Sequence, residues 1–310
     1  MLKGKRLLLT GLTGQVGGAF AEALAPHNEV WGFARYSASG SQERFAAMGV
    51  KTVKGDFATG QFADLPGDFD AVIHLAANTK PGTQEVGMVQ NAEGTGLLMH
   101  HCRASKAFVH VSTLGVLSEH TDPLRKKSET DEIGGATPHS PNYGPTKTAA
   151  EGVARTLCRL YGLPTTIARI HCAYGGPYDD GGLPGGYLTK ILERSPIRLS
   201  PSRRIHVTPV HEDDMLGHLE PLIAAASVPA FVVHWGGDQP VALEDLANHI
   251  GALVGVAPIF EWSEAGNFPN TLVDTTRGAS IGMRWNIPWK EGVRRMIQAR
   301  RPDIALREVG

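Results

Sequence analysis

The sequence predicts an α/β protein with a doubly wound parallel sheet, followed by a smaller C-terminal α/β lobe. Short apolar runs alternate with segments of helical periodicity, and this β–α alternation favours the doubly wound class. The runs occupy residues 6–11, 29–35, 70–77, 107–113 and 164–170. They are apolar on both faces, which is typical of parallel strands covered by helices on either side.

The same pattern predicts how the chain is divided. Residues 1–174 are predicted to form the sheet domain, and residues 175–310 mostly a lobe that binds substrate. A segment near 205–237 is expected to return to the sheet domain, with 230–237 as one more buried strand. The stretch that includes residues 178–187 is rich in glycine and proline and contains two aspartates, so we expect a loop there.

Composition excludes several classes of function. Lysine and arginine number 30 and the acidic residues 31, so charge gives no case for nucleic acid or an anionic membrane as partner. Cys102, Cys158 and Cys172 are scattered, which predicts no disulfide framework and fits a reducing compartment. The longest apolar stretch, 221–235, is interrupted by proline and is too short to span a bilayer. We expect a cytoplasmic protein.

A glycine-rich turn follows the first apolar run. Gly11, Gly14 and Gly17 form G-x-x-G-x-x-G between a predicted strand and a predicted helix. Glycine there allows a tight turn and a close approach of backbone to a pyrophosphate, and the helix N-terminus offers free N–H groups to that anion. In this strand–turn–helix context the motif predicts a dinucleotide site.

Arg35 ends the second predicted strand, eighteen residues after Gly17. A cofactor without a 2′-phosphate is usually held at this point by an acid that accepts from the ribose hydroxyl, but no acid lies between Glu29 and Glu43. Arginine can bind a phosphate and stack on adenine. The sequence therefore favours NADP, with NAD possible; the alternative is an arginine that only stacks on adenine.

Tyr143 and Lys147 lie four residues apart at the start of a predicted helix. Because Pro145 is tolerated only in the first turn of a helix, we expect this helix to begin at about Gly144. Residues four apart share a face. An ammonium favours the phenolate, and lowering a phenol pKa by about 3 units needs roughly 4 kcal/mol. Tyr143 is thus a candidate acid or base; the alternative is a pair of solvated side chains.

Several further motifs occur in order along the chain. They are T-G-x-T-G-x-x-G at 10–17, GDF at 55–57, HLAA at 74–77, NAEGTGLL at 91–98, VHVSTLGVL at 109–117 and the run from Tyr143 through Lys147 to Glu151. Together they resemble the extended short-chain dehydrogenase/reductases, the NAD(P)-dependent epimerase/dehydratase family. The resemblance covers residues 6 to about 177, returns more weakly near 210–237 and 285–297, and implies a Rossmann fold.

The resemblance implies a catalytic Thr-Tyr-Lys site. Thr113 would donate a hydrogen bond to the substrate oxygen, Tyr143 would transfer the proton, and Lys147 would bind the nicotinamide ribose and lower the tyrosine pKa. Motif and resemblance together assign to the cofactor Gly11, Thr13, Gly14, Gln15, Val16, Gly17, Arg35, Asp56, Phe57, Leu75, Ala76, Ala77, Asn91, Lys147 and Ile170. A homodimer, formed through the helices near 91–104 and 144–161, is also implied.

The chain departs from the family pattern at two places. Cys172 replaces the usual asparagine, beside His171, which would be either a substrate contact or a structural histidine. Sugar-nucleotide members of the family carry an arginine seven residues before the aspartate of V-x-D. In this chain the residue seven before Asp214 is Val207, and the residue seven before Asp213 is His206. We therefore expect an NADP-dependent oxidoreductase acting on a small carbonyl compound or secondary alcohol. The candidate substrate contacts are Thr79, Lys80, Ser112, His171 and Tyr187.

Two other functions stay open. The first alternative is a sugar-nucleotide epimerase or dehydratase, and the less favoured one is a regulator that senses NADP without chemistry. No metal is expected, because the histidines and acids of residues 206–218 lack the spacing of a metal site. The identity of the substrate and the direction of reaction are not determined by these motifs.

Overall fold

A parallel sheet forms the centre of the protein. The computed structural model describes residues 2–120, 122–135, 140–264 and 269–309. In chain order the strands of this sheet are β1 (Arg6–Thr10), β2 (Glu29–Ala34), β3 (Lys51–Lys54), β4 (Ala71–His74), β5 (Phe108–Thr113), β6 (Thr165–Ile170) and β7 (Phe231–Trp235). Across the sheet they are ordered β7-β6-β5-β4-β1-β2-β3. The order reverses between β1 and β4, which opens a crevice at the carboxyl ends of these two strands.

Helices cover both faces of this sheet and continue beyond it. They are α1 (Gln15–Leu24), α2 (Ser41–Ala47), α3 (Gln84–Gly87), α4 (Gly94–His101), α5 (Tyr143–Tyr161), α6 (Gly182–Leu192), α7 (Glu212–Ala224), α8 (Leu243–Val254), α9 (Thr276–Ser280) and α10 (Trp289–Arg300). A π-helical turn, Met88–Glu93, joins α3 to α4, and 3₁₀ turns occur at Ala25–His27, Phe57–Thr59 and Leu114–Val116.

Among the described residues, four pairs of short strands lie outside the main sheet. Three are parallel: Lys126–Lys127 with Leu272–Val273, Ala173–Tyr174 with Val210–His211, and Ile197–Leu199 with Phe260–Trp262. The fourth is antiparallel and joins His206–Val207 to Val241–Ala242. These pairs connect the end of the main sheet to the second half of the chain.

The main sheet is buried on both faces. Leu7 and Leu9 of β1 belong to an apolar cluster with Phe20 of α1, whereas Leu8 belongs to a second cluster with Leu98 of α4. Successive side chains of a strand point to opposite faces, so adjacent leucines contact different helical layers. The doubly wound fold predicted from the sequence is confirmed.

A third apolar cluster is formed by α6, α8 and α10 beyond the ends of the strands. The loop predicted over 178–187 is wrong in its second half, because α6 begins at Gly182. Leu183, Tyr187 and Ile191 recur at intervals of four residues, and this stripe packs in the third cluster. The division at residue 174 into a sheet domain and a substrate lobe stays a prediction.

Candidate active site

The glycine turn leaves no space for a side chain at Gly11 or Gly17. Gly11 has φ +72°, and a Cβ there would lie 2.7 Å from the Ala76 nitrogen at the end of β4. A Cβ on Gly17 would collide with the carbonyl oxygen of Gly11. The first turn of α1 carries no acidic residue, so its free N–H groups face no competing charge. This turn fits a dinucleotide pyrophosphate.

A cleft of about 380 Å³ opens above this turn, at the crevice between β1 and β4. Most predicted cofactor residues line it: Gly11, Thr13, Gly14, Gln15, Val16, Gly17, Arg35, Asp56, Phe57, Leu75, Ala76, Ala77 and Ile170. Tyr143, Thr79 and Ser112 line it as well. Residues that were not assigned to the site from the sequence also contribute, namely Phe33, Ala34, Gly55, Asn78, Gln90, Val111 and Asp179. Several of these adjoin predicted positions in the chain, but Asp179 belongs to no recognised motif.

Asn91 and Lys147 were also assigned to the cofactor, but they lie behind the wall of the cleft. Asn91 is buried, and its amide accepts from Asn78 N at 2.8 Å and donates to Thr146 Oγ1 at 3.1 Å. These bonds connect the segment after β4 to α5, and Asn78 lines the cleft. Asn91 therefore holds the cleft wall in place.

The end of β2 and the turn after β3 form part of the cleft wall. Arg35 is exposed there, and its guanidinium forms no ion pair or hydrogen bond within the described residues. Asp56 caps the 3₁₀ turn that follows β3, because its Oδ1 accepts from Ala58 N at 3.0 Å. Asp56 and Arg35, both predicted to contact the cofactor, thus line the cleft at the ends of neighbouring strands.

Tyr143 is the first residue of α5, one position earlier than expected. Its side chain is half-buried and lines the cleft. Burial raises the pKa of the Tyr143 phenol to about 12, so the phenol is protonated at neutral pH in this structure. Positive charge brought into the cleft would be needed to lower that pKa.

Lys147 lies one turn further along α5 and is almost fully buried. Its Nζ donates to the carbonyl oxygen of Val111 at 2.8 Å and lies 3.4 Å from His110 Nε2. Burial lowers the pKa of Lys147 to about 8. His110 is buried beside this lysine. Its burial, and secondly the Lys147 charge, hold the pKa of His110 well below the usual range. His110 lies within the motif at 109–117, but the sequence assigned it no role.

A buried ion pair fixes the strand ends below Tyr143. Arg169 and Glu151 form two hydrogen bonds, of 2.9 and 2.8 Å, with both side chains almost fully buried. Ser112 donates to the same carboxylate at 2.7 Å. Ser112 pairs with Arg169 across β5 and β6, so one network positions the floor of the cleft.

The remaining predicted side chains are more dispersed. Thr113 ends β5, and its hydroxyl accepts from Gly115 N at 3.1 Å while keeping its own proton to donate. Lys80 is exposed and does not line the cleft. His171 follows Ile170 at the end of β6, and its Nε2 is buried with no partner in the described part of the chain. Tyr187 packs in the third apolar cluster instead of the cleft.

The histidines and acids near residue 212 have structural contacts. His211 caps α7, and Asp214 accepts from the backbone of Asn286 and Ile287. His218 Nε2 lies 2.8 Å from the Arg284 carbonyl oxygen. In the described residues no group of three or more His, Cys, Asp or Glu is placed to hold a metal.

Glu212 gives a pH-dependent prediction for stability. Its Oε1 accepts from Gly176 N at 2.7 Å, but its buried Oε2 has no partner among the described residues. Burial raises the pKa of Glu212 to about 7. The folded state therefore holds a proton that the unfolded state has lost, and stability falls as pH rises from about 4.5 to about 7. We expect Glu212→Gln to raise the free energy of unfolding by about 1 to 3 kcal/mol at pH 8.

Urea unfolding at pH 4 and pH 8 would test this expectation. The free energy of unfolding of Glu212→Gln should exceed that of wild type at pH 8. The difference should nearly vanish at pH 4, where the wild-type carboxyl is protonated in both states. An equal difference at the two pH values would contradict it.

Comparison with known proteins now identifies the family. A sequence profile of the NAD dependent epimerase/dehydratase family matches residues 7–206, more than half of the chain. The protein belongs to this family. A relative in Mycolicibacterium smegmatis, dTDP-glucose 4,6-dehydratase, is 30% identical over 187 residues, 56% of this chain and 54% of that protein. The bovine dTDP-D-glucose 4,6-dehydratase is 25% identical over 276 residues, 80% of this chain and 73% of that protein.

Solved structures of epimerases share the fold of this epimerase/dehydratase family member. UDP-N-acetylglucosamine 4-epimerase from Methanobrevibacter ruminantium has a TM-score of 0.84 at 17% identity, covering 96% of this chain and 98% of that one. UDP-glucose 4-epimerase from Thermus thermophilus, solved with NAD, has a TM-score of 0.81 at 20% identity, covering 95% and 98%. Among the described residues of our chain, no helix has the length and apolarity needed to span a membrane.

Proposed function

We propose that this protein is an NAD(P)-dependent sugar-nucleotide epimerase. Of the two substrate classes that the sequence predicts, the comparisons support the sugar nucleotide better than the small carbonyl compound or alcohol, because the relatives act on dTDP-glucose. The observation that carries the proposal is the position of Tyr143 in the same cleft as the glycine turn. This arrangement suits reversible proton and hydride transfer at one carbinol carbon.

The turn after β5 favours an epimerase over a dehydratase. Elimination of water requires a base for the departing proton and an acid for the departing hydroxyl, in addition to the group that acts on the carbinol. Leu114, Gly115 and Val116 follow Thr113 directly and carry no titratable side chain. Two carboxylates line the described cleft, those of Asp56 and Asp179. Asp56 follows β3, and Asp179 follows Tyr178, whose ring packs against α1. Neither belongs to the elements around Tyr143.

The catalytic roles are proposed as follows. When bound, with its dinucleotide held at the glycine turn, the cofactor would supply a reversible hydride acceptor for the carbinol carbon. Tyr143 would take the hydroxyl proton and give it back, with its pKa lowered by positive charge from the cofactor and Lys147. Thr113 would donate its free proton to the substrate oxygen. Lys147 is held for this role by Val111.

A product assay tests the proposed function. The purified chain would be incubated with cofactor and, separately, UDP-glucose, UDP-N-acetylglucosamine, UDP-glucuronate and dTDP-glucose. An epimerase yields a 4-epimer with no net change at 340 nm. A 4-keto-6-deoxy product would instead show a dehydratase, and stoichiometric NADPH oxidation with a simple ketone would show the small-carbonyl oxidoreductase.

We also propose NADP as the preferred cofactor. The Arg35 guanidinium lines the cleft free of ion pairs within the described residues, and the end of β2 offers no acid. Solved relatives of similar fold contain NAD, so the preference is a property proposed for this chain. We expect Arg35→Ala to raise the KM for NADP about 10- to 100-fold and to leave the KM for NAD nearly unchanged.

Steady-state kinetics with both cofactors would measure this effect. Lys54→Ala serves as the control, because Lys54 is an exposed cation at the end of the neighbouring strand β3 and does not line the cleft. A wild-type protein that prefers NAD would contradict the proposal.

The homodimer implied by the resemblance stays a prediction. Leu97 of α4 and Leu160 of α5 are large apolar side chains with exposed fractions of 41% and 68%. Both helices belong to the segments through which the family is expected to pair. A small-molecule substrate is the other proposed partner.

A further inference from the structure

Lys127 is a buried lysine whose ammonium has no direct hydrogen-bond or ion-pair partner in the described structure. Its exposed fraction is 4%, although its neighbour Lys126 is exposed. No hydrogen bond or ion pair to its ammonium is formed by the described residues, and Glu119 and Asp131 act on it only at longer range. Burial lowers the pKa of Lys127. A buried charge without a direct partner is costly, and an anionic ligand beside it would reduce that cost.

His171 lies next to this cation and next to the cleft. His171 directly follows Ile170, which lines the cleft. Burial, and secondly the Lys127 charge, lower the pKa of His171 to about 4. The imidazole is therefore neutral at physiological pH. Its ring bonds to the backbone of Thr271, which leaves the buried Nε2 as the free nitrogen, with no partner among the described residues. A neutral ring that donates through one nitrogen accepts through the other.

Two more buried polar groups lie on the strands that reach Lys127 and His171. The pair Lys126–Lys127 runs beside Leu272–Val273, and Val207 bridges to Thr271 in the same segment. Asn270 uses its Oδ1 to accept from His206 N at 2.6 Å, so its Nδ2 is left to donate. This Nδ2 and Thr208 Oγ1 are both buried without a partner in the described part of the chain.

We propose that Lys127, His171, Thr208 and Asn270 form a subsite for an anionic sugar derivative, beside the reacting end of the cleft. The ammonium and the amide donate to a phosphate or carboxylate, and His171 Nε2 accepts from a hydroxyl of the same ligand. The subsite rests on the proposed function, since it would hold the diphosphate of a sugar nucleotide or the acid of its sugar. It supplies the positive charge absent at Val207, where an arginine was expected.

Binding measurements on the full chain, saturated with cofactor, test this subsite. The probes are UDP, UDP-glucose, UDP-glucuronate and inorganic pyrophosphate, titrated calorimetrically into wild type, Lys127→Met and Lys126→Met. Lys127→Met should weaken binding about 10- to 100-fold, and Lys126→Met should change it less than about 2-fold. Lys127→Met should unfold at the wild-type temperature or above it, because the change removes a buried charge that has no direct partner.

The probes separate the two sources of the anion. Weaker binding of UDP, UDP-glucose and pyrophosphate assigns the subsite to phosphate, whereas weaker binding of UDP-glucuronate alone assigns it to a carboxylate. Equal affinities of Lys127→Met and Lys126→Met for all four probes, or no binding to wild type, would overturn the inference. Lys127-dependent binding of pyrophosphate without turnover of any sugar nucleotide would leave the subsite standing and remove the proposed function.

Discussion

Replacement of Tyr143 by phenylalanine is expected to lower turnover by at least about 100-fold while cofactor affinity stays unchanged. The phenol lines the cleft beside Ser112 and Ile170, and phenylalanine preserves the ring while removing the only proton that Tyr143 can exchange. The structure explains why the loss should be large. Burial raises the pKa of Tyr143 to about 12, so the phenol keeps its proton until positive charge or a hydrogen-bond donor stabilises the phenolate.

Tyr161→Phe is a suitable control at the other end of the same helix. The Tyr161 hydroxyl lies 2.8 Å from His100 Nδ1, outside the cleft, so turnover should be unaffected. Turnover and cofactor affinity would be measured separately, by product formation with a sugar nucleotide and by fluorescence titration. Near-wild-type turnover of Tyr143→Phe would exclude the proposed role of the phenol.

Glu151→Gln is expected to lower the free energy of unfolding by about 3 to 5 kcal/mol. The change leaves the Arg169 guanidinium without a counter-charge, although the side chain is almost fully buried between β5, β6 and α5. It also weakens the hydrogen bond that holds Ser112 on the cleft floor. Both stability and cofactor binding should therefore decrease, and urea unfolding with and without cofactor would measure the two effects.

An exposed ion pair provides the matched control for this change. Arg198 and Glu261 lie 3.0 Å apart, with exposed fractions of 49% and 45%. Glu261→Gln should lower the free energy of unfolding by less than about 1 kcal/mol, because solvent screens the remaining charge of Arg198. If the two substitutions destabilised the protein equally, the buried network would not be the structural support of the site.

The elements that could be predicted from the sequence are those with strong local patterns. The five apolar runs became strands because each can be buried on both faces over a few residues. The glycine turn was predictable because Gly11 and Gly17 meet steric limits set by neighbouring backbone. The position of Tyr143 at the start of α5 was predicted to within one residue from Pro145.

Other parts of the site depend on packing that the local pattern does not contain. Gly181 and the adjoining glycines indicated a loop, but the apolar stripe of α6 finds a partner surface on α8 and α10 and forms a helix. For the same reason Tyr187 packs in a core instead of the cleft. His110 escaped notice because a histidine within an apolar strand acquires a role only when α5 brings Lys147 against it.

By itself the sequence determined the fold class, the glycine turn and the Tyr143–Lys147 pair, because strand and helix periods, turn sterics and helical spacing act between residues close in the chain. The tertiary structure alone decided which polar groups meet. Lys127, His171 and Asn270 lie far apart in the chain and converge only through the pairing of short strands. Such convergence depends on the packing of whole elements, so no local signal in the sequence records it.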